Sequence, residues 1–177
     1  MAKWNIDADH SVAAFKVRHM MGAHVRGQFN KLSGSAQFDP ADRSSFSLKV
    51  CIDARGLYTG IAKRDEHLSS PDFFNVAENP TIAFTSTAFT AAGVGGTLVG
   101  DLTIHGVTHS VTLDVAFSGP VAGPEEFGGE ISLGITAATT INREDFGITW
   151  NVPLADGGVM VGREIWINLD IEGDMEG

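Results

Sequence analysis

What most constrains this chain is a period-two alternation of apolar and polar residues that recurs along most of its length. Successive side chains of a β-strand point to opposite faces, so such alternation marks strands with one buried and one solvated face. The clearest run is Ser45-Phe46-Ser47-Leu48-Lys49-Val50-Cys51-Ile52-Asp53, apolar at the even positions. The same pattern predicts strands over Val12–Arg18, Val25–Phe38, Thr81–Phe89, Thr97–His105, His109–Phe117, Glu130–Ile141 and Val159–Glu172. Between Phe29 and Leu32 the apolar phase shifts from odd to even, which predicts a bulge at Asn30-Lys31.

About eight strands with one apolar face each bury those faces economically as a closed barrel or a two-sheet sandwich. Short connections such as Gly106-Val107-Thr108 favour antiparallel neighbours and an up-and-down meander. The expected fold is therefore all-β, an eight-stranded antiparallel barrel in a single domain spanning residues 1–177. Three segments break the pattern. Gly60–Pro80 predicts one or two short helices or a lid, Phe146–Gly158 an ordered loop, and Gly119–Gly129 a mobile surface loop.

Charge narrows the partners. Twelve Lys and Arg against 22 Asp and Glu leave a net charge of −10, which repels phosphate backbones and anionic membrane surfaces and leaves no basic stripe for DNA or RNA. No apolar run approaches the ~20 residues of a membrane-spanning helix. The lone Cys51 cannot form an internal disulfide. The start, Met1-Ala2-Lys3-Trp4-Asn5, shows no apolar core of a secretory signal, so a cytoplasmic protein is expected.

No nucleophile elbow, phosphate loop, dinucleotide fingerprint or Cys-x-x-Cys pair is present, and no cofactor is expected. His10, His19, His24, His67, His105 and His109 lack diagnostic metal spacing, so no metal site is assigned. The inward faces carry more information. They comprise Phe15, Val17, Phe29 and Phe38 early in the chain, then Leu48, Val50, Ile52, Ile82 and Phe84. Leu102, Ile104, Leu113 and Phe117 follow, with Ile131, Leu133, Ile135, Ile165, Ile167 and Leu169 last. A barrel of this size is either filled by such side chains or holds one small ligand. Small residues on the same faces, Ala13, Gly27, Ala36, Gly100 and Ala137, point to a cavity by removing volume. Polar head-group candidates are Arg64 and His67 in the cluster Arg64-Asp65-Glu66-His67, then Arg18, His19 and Arg143. The competing reading is an enzyme acting on an apolar substrate inside the barrel, with Asp65 and His67 as its acid–base pair.

An ordered series of short motifs resembles the YceI-like, polyisoprenoid-binding family. It runs through Trp4-Asn5-Ile6-Asp7 with His10-Ser11, Val17-Arg18-His19-Met20, Val25-Arg26-Gly27-Gln28-Phe29 and Arg64-Asp65-Glu66-His67-Leu68. Asp72-Phe73-Phe74, Pro80-Thr81-Ile82-Ala83-Phe84 and Gly100-Asp101-Leu102-Thr103-Ile104-His105-Gly106 continue it. Arg143-Glu144-Asp145-Phe146-Gly147 and Val161-Gly162-Arg163-Glu164-Ile165 close it. The resemblance implies a lipocalin-like barrel with a helix at its side and a long apolar tunnel. It further implies a non-catalytic carrier of a polyprenyl phosphate, quinone or acyl chain, in a family with exported members and homodimers.

Overall fold

The computed structural model describes all residues from Met1 to Gly177. Its strands are β1 (Ala2–His19), β2 (His24–Phe29), β3 (Leu32–Phe38), β4 (Ser47–Asp53) and β5 (Leu57–Tyr58), then β6 (Thr81–Ala92), β7 (Gly95–Ile104), β8 (Val107–Ala122), β9 (Ile131–Asn142) and β10 (Val161–Met175). A single helix, α1 (Ala62–Ser69), lies between β5 and β6. Neighbours run β1-β3-β4-β6-β7-β8-β9-β10, and β10 pairs back onto β1, closing an eight-stranded antiparallel barrel. Closure leaves the ring without a free edge.

The long strand β1 changes partner halfway. Ala2–Asn5 pair with β3, whereas Ala13–Arg18 pair with β2. At the changeover β1 bulges away from β10: Asp7 faces Glu172, and the next paired residue, Val12, faces Asp170. The buried Ser11 ties the bulge down, its hydroxyl donating to the Glu172 carbonyl and accepting the Glu172 amide.

The expected bulge at Asn30-Lys31 is a full break. Strand β3 continues beside β4, while β2 turns away to pair with β5 through Gln28 and Tyr58. The apolar phase shifts there because the chain changes neighbours, not because one residue is extra in a continuous ladder. Strand β2 thus has no ladder to β4, and Leu68 of α1 with Phe73 and Phe74 after it line the cavity at this end.

Strands also outrun the alternation. Strand β1 begins at Ala2, and Trp4 is among the most deeply buried side chains, its indole donating to the Phe38 carbonyl at 3.2 Å. The expected loop from Gly119 begins as strand, since β8 runs to Ala122 before a 3-10 turn at Glu125–Phe127. Residues 118–122 are all exposed, so no alternation could mark them. The turn after β7 is two residues, His105 and Gly106, with φ of 54° and 72°, the positive pair a tight hairpin requires.

Candidate functional site

The barrel interior divides into two ends. At one, Trp4, Phe38, Leu48, Leu98, Leu133, Ile135 and Ile171 are almost wholly buried. Phe117 sits 4.6 Å from Phe38 and 4.7 Å from Phe46, centroid to centroid, and Phe46 lies 5.1 Å from Phe89. These interlocked rings fill that end.

The other end holds an apolar cavity of about 130 Å³, lined by 25 residues of which 23 are hydrophobic. Of the residues expected to face a ligand, Phe15, Val17, Phe29, Val50, Ile82 and Phe84 line it, as do Leu102, Ile104, Leu113, Ile165 and Ile167. Phe38, Leu48, Phe117, Ile131, Leu133 and Ile135 do not. They belong to the filled end or its margin, outside this cavity. Alternation reports which face is inward and carries no information on what lies opposite.

The small residues also behave differently from expectation. A side-chain carbon on Gly27 would lie 2.4 Å from the Phe15 ring, and one on Gly100 would lie 2.4 Å from the Phe84 ring. Both glycines are beds for phenylalanines rather than empty volume. Ala36 and Ala137 are buried away from the cavity, and only Ala13 of the set borders it.

Several lining residues come from segments without periodicity: Leu68 of α1, Phe73 and Phe74 just after it, and Phe146 and Ile148 after β9. Two adjacent phenylalanines in a polar, Pro-bounded turn were the visible signal, because such rings are rarely left in solvent. Phe74 lies 5.5 Å from Phe29 and 6.5 Å from Phe15, and the three rings wall the gap between β2 and β4.

Among the polar candidates only Arg143 reaches the cavity. It is 3% exposed, and its guanidinium donates to the carbonyls of Gly162 and Ile148 at 2.8 Å and of Val161 at 3.3 Å. Burial pulls its pKa below the usual arginine range, opposed by the neighbouring Glu144. These bonds clip together both ends of the loop between the 3-10 turn at Arg143–Phe146 and β10. Asn151 reinforces the clip through the amide and carbonyl of Val161.

Arg64 and His67 are held elsewhere. Arg64 donates to the Thr59 hydroxyl and carbonyl, and Asp65 accepts the Thr59 amide and hydroxyl, so this pair fastens α1 to the end of β5. His67 bonds Asp72 at 2.9 Å, with its ring against Phe73 and Trp150 at 5.1 and 4.9 Å. Asp65 and His67 therefore face different partners and do not form a pair. Arg18 and His19 are exposed at the end of β1, outside the cavity. His105 and His109 bond the carbonyls of Phe146 and Asp145, bracing the same loop that Arg143 clips.

A closed antiparallel barrel with an apolar cavity at one end defines a lipocalin-like binding barrel. The chain belongs to the YceI-like family, whose domain profile matches residues 4–173. A UPF0312 protein of Staphylococcus epidermidis is 36% identical over 172 residues, covering 97% of both chains. A counterpart from Staphylococcus aureus is 35% identical over the same span. Among solved structures, the YceI protein of Campylobacter jejuni is 28% identical, with a TM-score of 0.74 and 90% of each chain covered. BcnA of Burkholderia cenocepacia superposes with a TM-score of 0.79 at 23% identity, covering 94% of this chain and 98% of its own. A polyisoprenoid-binding domain from Saccharophagus degradans, implicated in plant cell wall breakdown, shares the fold at TM-score 0.69 and 16% identity, with 98% of each chain covered.

Proposed function

We propose that this protein is a non-catalytic carrier that takes an isoprenoid or acyl chain into the cavity. The observation that carries the reading is the lining itself, in which Thr139 and Arg143 are the two residues that are not hydrophobic. Such a wall selects for an apolar tail, and each methylene it buries contributes ~0.8 kcal/mol. A polyisoprenoid-binding domain of the same fold supports the isoprenoid class. A cavity of about 130 Å³ is on the scale of the ~150 Å³ that holds a benzene ring. The resting cavity thus admits a segment of a chain, and a longer tail requires the Phe15, Phe29 and Phe74 rings to part. At the polar end of the ligand, Arg143 is the candidate contact. A guanidinium has five N–H donors, and three bonds to carbonyls leave others for an acceptor.

The test is mass spectrometry of an organic extract of the purified, untagged protein, run beside the intact protein under native conditions. A stoichiometric isoprenoid or acyl compound, lost from native spectra on adding organic solvent, is the expected result. Protein that emerges empty and takes up neither a prenyl nor a fatty-acyl probe overturns the carrier reading.

A further inference from the structure

The net charge of −10 conceals a segment of opposite character. From His10 through Phe38 the chain contains no Asp or Glu, yet it carries Lys16, Arg18, Arg26 and Lys31. Folding gathers three of these on the hairpin of β1 and β2. Lys16 pairs with Arg26 across the ladder, and Arg18 pairs with His24. Phe15 and Val17 point into the cavity, so the intervening Lys16 and Arg18 stand on the outer face.

The adjoining strand β10 adds an aromatic. The Lys16 ammonium lies 5.3 Å from the centre of the Trp166 ring, and the His24 imidazole meets that ring edge-on at 5.3 Å. Burial, and then Arg18, Lys16 and Arg26, hold His24 below its ordinary pKa, as a cationic surrounding must. On the same face a surface groove is walled by Lys16, Arg26, Gln28, Tyr58 and Asn168. Carboxylates border this face: Asp65 accepts from Thr59, which lines the same groove, Glu164 lies two residues from Trp166 on β10, and Asp156 sits in the loop that Met21 approaches at Gly158.

The hairpin tip is apolar. Met20 and Met21 are 48% and 55% exposed, with φ of 53° and 59°. Left-handed turn positions favour Gly or Asn, so two long thioethers there, aimed at solvent, are unfavourable for an isolated barrel. The tip is anchored beside the cavity: His19 pairs with Val161, a lining residue, and the Met20 amide donates to the Met160 carbonyl at 2.8 Å.

We propose that this face docks onto an anionic lipid bilayer. Met20 and Met21 enter the boundary between head groups and acyl chains, while Lys16, Arg18 and Arg26 meet lipid phosphates. Trp166 takes the interfacial level that indoles prefer. A nucleic acid would use the cations but would leave the methionines without a partner. The overall negative charge, which repels an anionic surface at long range, then orients the molecule with this one face toward it. Docking here places the end of the barrel that holds the cavity against the bilayer.

The test is co-flotation of the full-length protein with phosphatidylcholine vesicles, with and without roughly 30% phosphatidylglycerol. Binding is expected to the anionic vesicles only and to weaken with salt. Met20→Asn with Met21→Asn suits the left-handed turn and should lower binding by roughly tenfold through lost apolar burial. Lys16→Gln, Arg18→Gln and Arg26→Gln together should lower it on the order of a hundredfold, at about fivefold per cation. Circular dichroism and uptake of a fluorescent fatty acid without vesicles should stay unchanged in both variants. The proposal is overturned by absence of flotation at low salt, by equal binding to neutral vesicles, or by folded variants that float like the wild type. Competition by single-stranded DNA with the methionine variant binding normally would also overturn it. Protein that emerges empty and takes up neither a prenyl nor a fatty-acyl probe, with vesicle binding intact, ends the carrier reading and leaves the docking face standing.

Discussion

The filled and hollow ends of the barrel are built from the same strands, with the same inward alternation, yet one packs solid and the other holds an apolar cavity. The difference lies in what completes the wall. At the filled end β3 bridges β1 and β4, and the phenylalanine rings of four segments interlock. At the hollow end β2 pairs with β1 and the two-residue β5 and has no ladder to β4, and side chains from α1, its following turn and the loop after β9 line the cavity there. A binding site in this fold is thus made by interrupting a ladder, more than by choosing small residues.

The largest expected effect compares one chemical change at both ends. Leu133→Ala removes a side chain packed on all sides in the filled end and should cost about 4–5 kcal/mol in urea unfolding. Leu102→Ala, on the cavity wall, loses fewer contacts and should cost about 2–3 kcal/mol. Equal losses would mean that the hollow end is packed as tightly as the filled one.

Next is the loop that closes the hollow end. Arg143→Lys keeps the charge and forfeits the planar fork that meets three carbonyls, at a cost of roughly 2–3 kcal/mol. Hydrogen exchange should rise first in the segment from Phe146 to Gly162, with the filled end still protected. Uniform acceleration across the barrel would break the division into two ends.

A smaller effect of opposite sign comes from two alanines that flank Leu169 in register. Ala13→Leu places carbon into the cavity and should leave stability unchanged or raise it by about 1 kcal/mol, while weakening uptake of an acyl probe. Ala137→Leu overfills a packed site and should cost about 1–3 kcal/mol. Thermal unfolding of both, with a binding titration, decides it.

The barrel was readable because closure forces every strand to keep one face dry, and alternation records just that. Its outer ends were not: Ser118–Ala122 are wet on both faces, so the end of β8 reads as loop. Trp4 was legible in principle, since Trp4, Ile6 and Ala8 alternate, but the run of polar residues that follows belongs to the bulge and hides the strand. The head-group candidates divide for a different reason. Arg64 and Asp65 look like a recognition cluster in one dimension, whereas in space both close on Thr59 five and six residues away. Arg143 ranked behind Arg64 and His67 in sequence and is the one that reaches the cavity, because its partners lie beyond a loop whose path no local pattern reveals.

The seam between the two ends supplies the smallest effect. At the bulge where β1 changes partner, the exposed His10 imidazole bonds the Asp7 carboxylate, and the Glu172 side chain lies close by. The hydrogen bond to Asp7, then its charge, raises the His10 pKa above 6.5, and the same bond lowers Asp7 below 3.8. A raised histidine contributes stability that is complete below 6.5 and disappears as pH climbs through its folded value. A lowered aspartate contributes stability that is complete above 3.8 and disappears as pH falls through its folded value. The pair is therefore strongest between these limits, and the exposure of His10 keeps it weak. His10→Gln should lower the urea midpoint at about pH 5 and leave it unchanged at about pH 9. An equal shift at both values would mean that the bulge is held by Ser11 and the backbone alone, and that the seam between the two ends carries no charge dependence.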